Sequence, residues 1–198
     1  MAKNDKIRVN RAPVLTLWAS IVAERLGYPT ATALTLGRAV AGYSAQAKAR
    51  RLGLVEEREE AEGHEWPQVP RETVLLLGRR IPVIATDDGE IRAEDHGKPA
   101  SASPALAYVR RAFGENLDVV RAAMTALAAS YPPDELNRIG FHLYERFRPE
   151  VPDDVSGWGA KGGLKLERIR NARIGACRNE LSLRSPTDPV DYHQPGRD

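Results

Sequence analysis

His142 and Glu145 stand three positions apart, a spacing that on a helix brings an imidazole and a carboxylate within reach of one metal ion. Two ligands do not hold an ion. His64, His96 and His193 fall in segments read as loop or tail, and no His-Glu-x-x-His run adds a third ligand. The pair therefore reads as a surface histidine beside an acid, and no metal is implied. The glycine-rich stretch 157–163, Gly-Trp-Gly-Ala-Lys-Gly-Gly, has the composition of a loop that cradles an anion at a helix N-terminus, with Lys161 as its cation. It lacks the Gly-Lys-Ser/Thr ending of a nucleotide-binding loop and no apolar strand precedes it, so no nucleotide cofactor follows. A tight turn with Trp158 plugged into an apolar groove accounts for the same residues. Cys177 neighbours Arg173 and Arg178, whose charges lower a thiol pKa, but the end of a predicted helix opposes that effect. There is also no Gly-x-Ser-x-Gly elbow, which leaves nucleophilic catalysis without local support.

Charge gives a broader signal. Residues 1–55 carry nine Lys/Arg against Asp5 and Glu24, whereas residues 56–65 carry six acids against Arg58, so a net charge of +2 hides a strong asymmetry. A solvated acidic linker lying near the basic segment and partly neutralising it is the plain reading. Arg38, Lys48, Arg50 and Arg51 invite a second, in which two short helices around Gly42 form a helix-turn-helix that meets nucleic-acid phosphates. The fit is poor. Residues 44–52 offer only alanines and a terminal Leu52 to bury where a recognition helix places a bulky aliphatic side chain, and the usual small residue of the first helix falls at Arg38.

The elements that must position these residues are mostly helical. Asn10 is a good N-cap, Pro13 lies in the first turn and Gly27 can end the helix. Between them Val14, Leu17, Trp18, Ile21 and Val22 keep helical spacing and, with Leu15 and Leu26, spread over about half the circumference. Such a helix is expected to sit centrally. A second helix over residues 30–41 aligns Ala33, Gly37 and Ala41 for close packing. Gly42-Tyr43 is expected to break it, with Ser44 capping a third short helix that ends at Gly53.

Residues 56–71, acidic and then punctuated by Pro67 and Pro70, read as a boundary. The apolar runs 73–77 and 81–86, with Asp88-Gly89 before residues 90–93, predict a small β hairpin, although the first run also fits a helical turn. Helices follow over 103–113, over the stripe Leu117, Val120, Met124, Leu127 and Tyr131, and from Asp134 to Phe147. Phe141 lies well off the apolar stripe of the last of these, so a neighbouring element covers it or it belongs to an interface. A final basic helix is expected over 164–176.

The 198 residues, 42% hydrophobic and 28% charged, match an ordinary globular chain and exclude collagen-like, coiled-coil and wholly disordered classes. At this length a fold buries roughly 70% of its unfolded surface and needs no staple. One cysteine cannot form an internal disulfide, and no apolar run suits a membrane or signal segment, which makes the cytoplasm the expected compartment and excludes a membrane partner.

The expected fold is mainly α. A basic N-terminal three-helix unit (1–55) is joined by an acidic, Pro-containing linker (56–71) to a β hairpin plus helical C-terminal unit (72–177), followed by a tail (178–198) too polar to order. Burial of Trp18, Trp66 and Trp158 decides whether these are one domain or two. The leading functional expectation is a non-enzymatic binding or adaptor protein, a homodimer or the partner of another protein, acting through the wide first helix and the faces of Phe141 and Trp158. The alternative is a nucleic-acid-binding protein using Arg38, Lys48, Arg50 and Arg51. A small-molecule enzyme with a dispersed site ranks third.

Overall fold

Helix α1 (Arg11–Arg25) buries every residue from Pro13 to Ala23. A helix on a protein surface buries three or four residues in seven, so α1 is enclosed on all sides, as its wide apolar spread predicts. The two polar residues in that stretch are satisfied within the helix: Thr16 Oγ1 donates to Ala12 O at 3.0 Å and Ser20 Oγ to Thr16 O at 2.7 Å. Asn10 holds the extended N-cap conformation but makes no side-chain capping bond, and Gly27, at φ +95°, ends the helix as expected. The computed structural model describes residues 6–51, 72–152 and 160–173.

Helix α2 (Thr30–Arg51) crosses α1 at Gly37, where Thr16 O and the backbone N of Ser20 occupy the space a Cβ would need. It runs unbroken through Gly42 and Tyr43, so the expected third helix, and with it the three-helix unit, is replaced by two helices. One helical glycine costs only about 1 kcal/mol relative to alanine. Seven alanines and no proline in the 22 residues of α2 carry the helix across it.

The expected hairpin is half of a larger sheet. Strands β2 (Thr73–Leu76), β3 (Arg79–Ala85), β4 (Ile91–Asp95) and β5 (Lys98–Pro99) form an antiparallel meander in that order, and the run at 73–77 is strand rather than helical turn. The fold is thus mostly helical with α and β mixed, not purely α. A turn falls at Asp88-Gly89 as expected, but only Gly89 is at positive φ, so it is a three-residue loop over 87–89 closed by Thr86 and Glu90 and not the two-residue type I′ turn that the Asp-Gly pair suggests. Two others, Leu77-Gly78 and His96-Gly97, place both residues at positive φ, the geometry of tight hairpins, without the Asn or Asp that signals it in sequence. Val74, Leu76, Ile81, Val83 and Ala93 fill the face turned to the helices.

Side chains from two helices satisfy backbone groups where the sheet has no neighbouring strand, at the start of β4, beyond its pairing with β5, and along β2. At β4, Thr32 Oγ1 donates to Ile91 O at 2.6 Å and the Ala93 N–H donates to Thr35 Oγ1 at 3.1 Å. At β2, Asn137 takes the place of a neighbouring strand, accepting from the Leu77 N–H at 2.7 Å and donating to Leu75 O at 3.0 Å. Backbone groups that would otherwise pair with another chain are satisfied internally.

Asn137 belongs to α5 (Pro133–Phe147), which follows α3 (Ala102–Phe113), a 3-10 turn (Gly114–Asn116) and α4 (Leu117–Ala128). The expected final helix is instead strand β6 (Gly162–Lys165) leading into a short α6 (Leu166–Arg170). Leu164 and Leu166 alternate around Lys165 as in a strand, and only Leu166 and Ile169 keep helical spacing. β6 pairs antiparallel with an unanticipated N-terminal strand, β1 (Lys6–Val9), from Lys6↔Lys165 to Val9↔Gly162. Glu150 bridges Gly163 and ties down Lys165 and Arg168.

Trp18 lies at the centre of one cluster that includes residues of β1, both N-terminal helices, the sheet and α3 to α6. Its indole N–H donates to Gly140 O at 2.8 Å and its ring meets Phe147 edge-on at 5.4 Å. Tyr144 stands edge-on to Phe147, with its hydroxyl on Arg11 O, and burial pushes that hydroxyl's pKa up to about 12. Trp66 and Trp158, like the linker and tail, lie outside the described residues.

Candidate nucleic-acid interface

Strand β1 packs on α3, and α3 on α2. By sequence these contiguous elements hold eight cations, Lys6 and Arg8 in β1, Arg38, Lys48, Arg50 and Arg51 in α2, and Arg110 and Arg111 in α3, without one acid. The described side chains of this group, Arg8, Arg38, Arg110 and Arg111, are exposed. None has an acidic partner among the described residues. In the rest of the fold some cations stand against acids, Arg92 with Glu90, Arg121 with Glu24 and Arg148 with Glu145.

Near the α2–α3 contact the Arg38 guanidinium carbon stands 5.8 Å from the centre of the Tyr108 ring, within the range of a cation–π contact. Tyr108 is half-buried. Burial raises its pKa while Arg38 and Arg111 pull it back, which places both charges around the phenol. Ala105, Val109 and Phe113 anchor the opposite face of α3 in the core, so the helix presents Tyr108 and Arg111 from a fixed backbone.

The residues singled out in the sequence are placed unevenly. Arg38 is part of this surface. Positions 48, 50 and 51 lie on α2, but their side chains are outside the described set, and the helical repeat spreads the four positions around the axis rather than along one stripe. The helix-turn-helix is absent, because its turn residue Gly42 sits inside α2. Phe141 is half-buried against the core, its ring 5.9 Å from that of Tyr144. Lys161 is exposed just before β6, whereas Trp158 and Cys177 lie outside the described residues. His142 is exposed, and Glu145 turns to Arg148 at 3.3 Å. No group of three or more His, Cys, Asp or Glu among the described residues is placed to hold a metal ion, and no described helix is long and apolar enough to cross a membrane.

Arg8, Tyr108, Arg110 and Arg111 were not read as functional from the sequence. The available signal was the lack of any acid in α2 and α3. Compared with protein-family models, curated proteins and solved structures, the chain matches none.

Proposed function

We propose that the protein is a non-enzymatic nucleic-acid-binding protein whose contact surface is the β1–α3–α2 face. The observation that carries this reading is the distribution of charge: eight cations and no acid on three packed elements, with the four described arginines exposed and in no ion pair among the described residues. Arginines presented in this way displace condensed counterions from a phosphate backbone, and binding then weakens steeply with salt. The apolar surfaces of the adaptor reading have largely been used inside the molecule, since α1 is buried throughout its middle and Phe141 packs on the core.

Four phosphate contacts imply a slope of log affinity against log salt near −2.8 for a single strand and −3.6 for a duplex. Fluorescence anisotropy is expected to show roughly a 50-fold or 150-fold loss, respectively, between about 50 and 200 mM salt. Replacing Arg110 and Arg111 by Gln is expected to halve the slope. Absence of binding at the lower salt, or a slope the variant leaves unchanged, refutes the proposal.

One observation favours a second reading, self-association. Helix α5 turns Asp134, Glu135, Arg138, His142, Glu145 and Arg146 to solvent, whereas α4 and its C-cap turn out Val119, Ala122, Thr125, Ala126 and Ala129, the last four lining a shallow open depression together with Asp118 and Arg121. Val119 is 42% exposed. An antiparallel two-fold pairing would set Val119 against Ala129 and Ala122 against Ala126 of a second copy, with small side chains permitting close approach. Light scattering is expected to give a mass that rises with concentration in the native chain and stays monomeric in Val119→Asp. A monomer at every concentration removes this reading.

A further inference from the structure

Resting on the nucleic-acid reading, we infer that Tyr108 and Arg38 form a base-stacking subsite and that the ligand is single-stranded. Tyr108 and Arg111 lie one turn apart on α3, so they share a face, and Arg38 reaches the ring from α2. The ring is therefore flanked by cations from two helices. An unpaired base has a π-face that stacks on an aromatic ring or a guanidinium plane, while its flanking phosphates meet neighbouring cations. Here Arg111 and Arg110, side by side at the exposed end of α3, are the phosphate contacts nearest to such a base.

Duplex recognition asks for something this face lacks: an element standing clear of its neighbours that enters a groove. α2 continues through Gly42 and packs against α1, α3, β3 and β4, so among the described residues this face has no separate, projecting recognition helix. Tyr108, half-buried between helices, is out of reach of a base held within a closed duplex, whereas a base on a flexible strand can be brought to it.

The test compares an oligothymidylate of about 20 nucleotides, long enough for the usual single-strand site, with a duplex of the same length. Inorganic polyphosphate and polyglutamate serve as competitors. The proteins are the native chain, Tyr108→Leu, Tyr108→Phe and the Arg110/Arg111→Gln variant, with thermal melting confirming that each is folded. The single strand is expected to bind more tightly than the duplex and to resist both competitors better than the duplex does. Loss of one stacked base is expected to weaken oligothymidylate binding roughly 5- to 150-fold in Tyr108→Leu with the salt slope unchanged, while Tyr108→Phe, which keeps the ring, retains it.

Salt-sensitive binding that is equal for strand, duplex and both competitors, with Tyr108→Leu neutral, overturns the stacking subsite and leaves the basic face standing. Loss of binding to both strand and duplex to the same degree in Tyr108→Leu also overturns it, because the Arg38–Tyr108 contact then only holds α2 to α3. Binding that is insensitive to salt and to the arginine variant overturns the underlying reading instead.

Discussion

Alanine at Gly37 is expected to destabilise the protein by about 3 kcal/mol or more, the upper range for overpacking a closed interface. The same change at Gly42 is expected to stabilise it by about 1 kcal/mol, the propensity difference between the two residues in a helix interior. Both glycines lie in α2, five positions apart, so intrinsic helix preference favours alanine equally at each. What separates them is the neighbouring helix. A Cβ on Gly37 would sit 2.5 Å from Thr16 O and 2.9 Å from the backbone N of Ser20, besides meeting Ser20 Oγ, whereas a Cβ on Gly42 finds nothing within 4 Å. The Ser20 hydroxyl can rotate away, but the α1 backbone cannot, so α2 must move off α1 as a unit. Combining Ser20→Ala with Gly37→Ala is therefore not expected to restore stability. Urea denaturation midpoints at constant m-value measure all three variants, and a Gly37→Ala protein as stable as the native one would show that the crossing is looser than the structure has it. With domains stable by about 5–15 kcal/mol in total, a loss of this size is a large fraction of what holds the chain folded.

The contrast between these glycines also shows what could be read from the sequence. The one-turn spacing of Ala33, Gly37 and Ala41 announced a close helix contact, and the half-circumference of apolar residues in α1 announced a helix with neighbours on every side. Both depend on periodicity within one segment. Gly42-Tyr43 misled because a local breaker was weighed without the alanine-rich context that carries a long helix past one glycine. The sheet was half legible: Asp88-Gly89 carries the recognised turn signal, while Leu77 and His96 adopt positive φ, which their residue types do not favour. Leu77 is buried, and its side chain fills the space over Gly140, with the turn held by Asn137. No local pattern predicts that. The β1–β6 pairing joins residues more than 150 positions apart, Lys6 to Lys165, through strands of four residues, one of them half glycine. The candidate surface was illegible for the same reason. Arg8, Arg38, Tyr108 and Arg111 come from three distant segments, and the sequence showed only that the N-terminal quarter was basic, not that α3 would add two more cations and an aromatic ring to it.

Trp18 is the residue on which these segments converge, and its replacement by alanine is expected to cost about 4–5 kcal/mol, at the upper end for a large side chain removed from a core. Its environment leaves little room for collapse. The ring has no solvent exposure and is bounded by Phe147, by Gly140 and by α1's own fully enclosed neighbours. Two contributions separate in Trp18→Phe, which keeps most of the apolar volume but lacks the N–H. Gly140 O is then left without its 2.8 Å donor, and an unsatisfied buried carbonyl costs about 1–3 kcal/mol, to which a smaller cavity adds. The phenylalanine variant is thus expected to fall about midway between native and alanine proteins in denaturant midpoint, and equal stability of Trp18→Phe and the native chain would mean that the indole hydrogen bond contributes nothing. The same pair distinguishes support from contact at the basic face. α2 and α3 are both mounted on α1, so Trp18→Ala lowers nucleic-acid affinity only by the fraction of chains unfolded, and a temperature or osmolyte that restores folding restores binding. Arginine substitutions at 110 and 111 act on contact alone: the fold is unchanged, the affinity falls, and no stabilising condition recovers it.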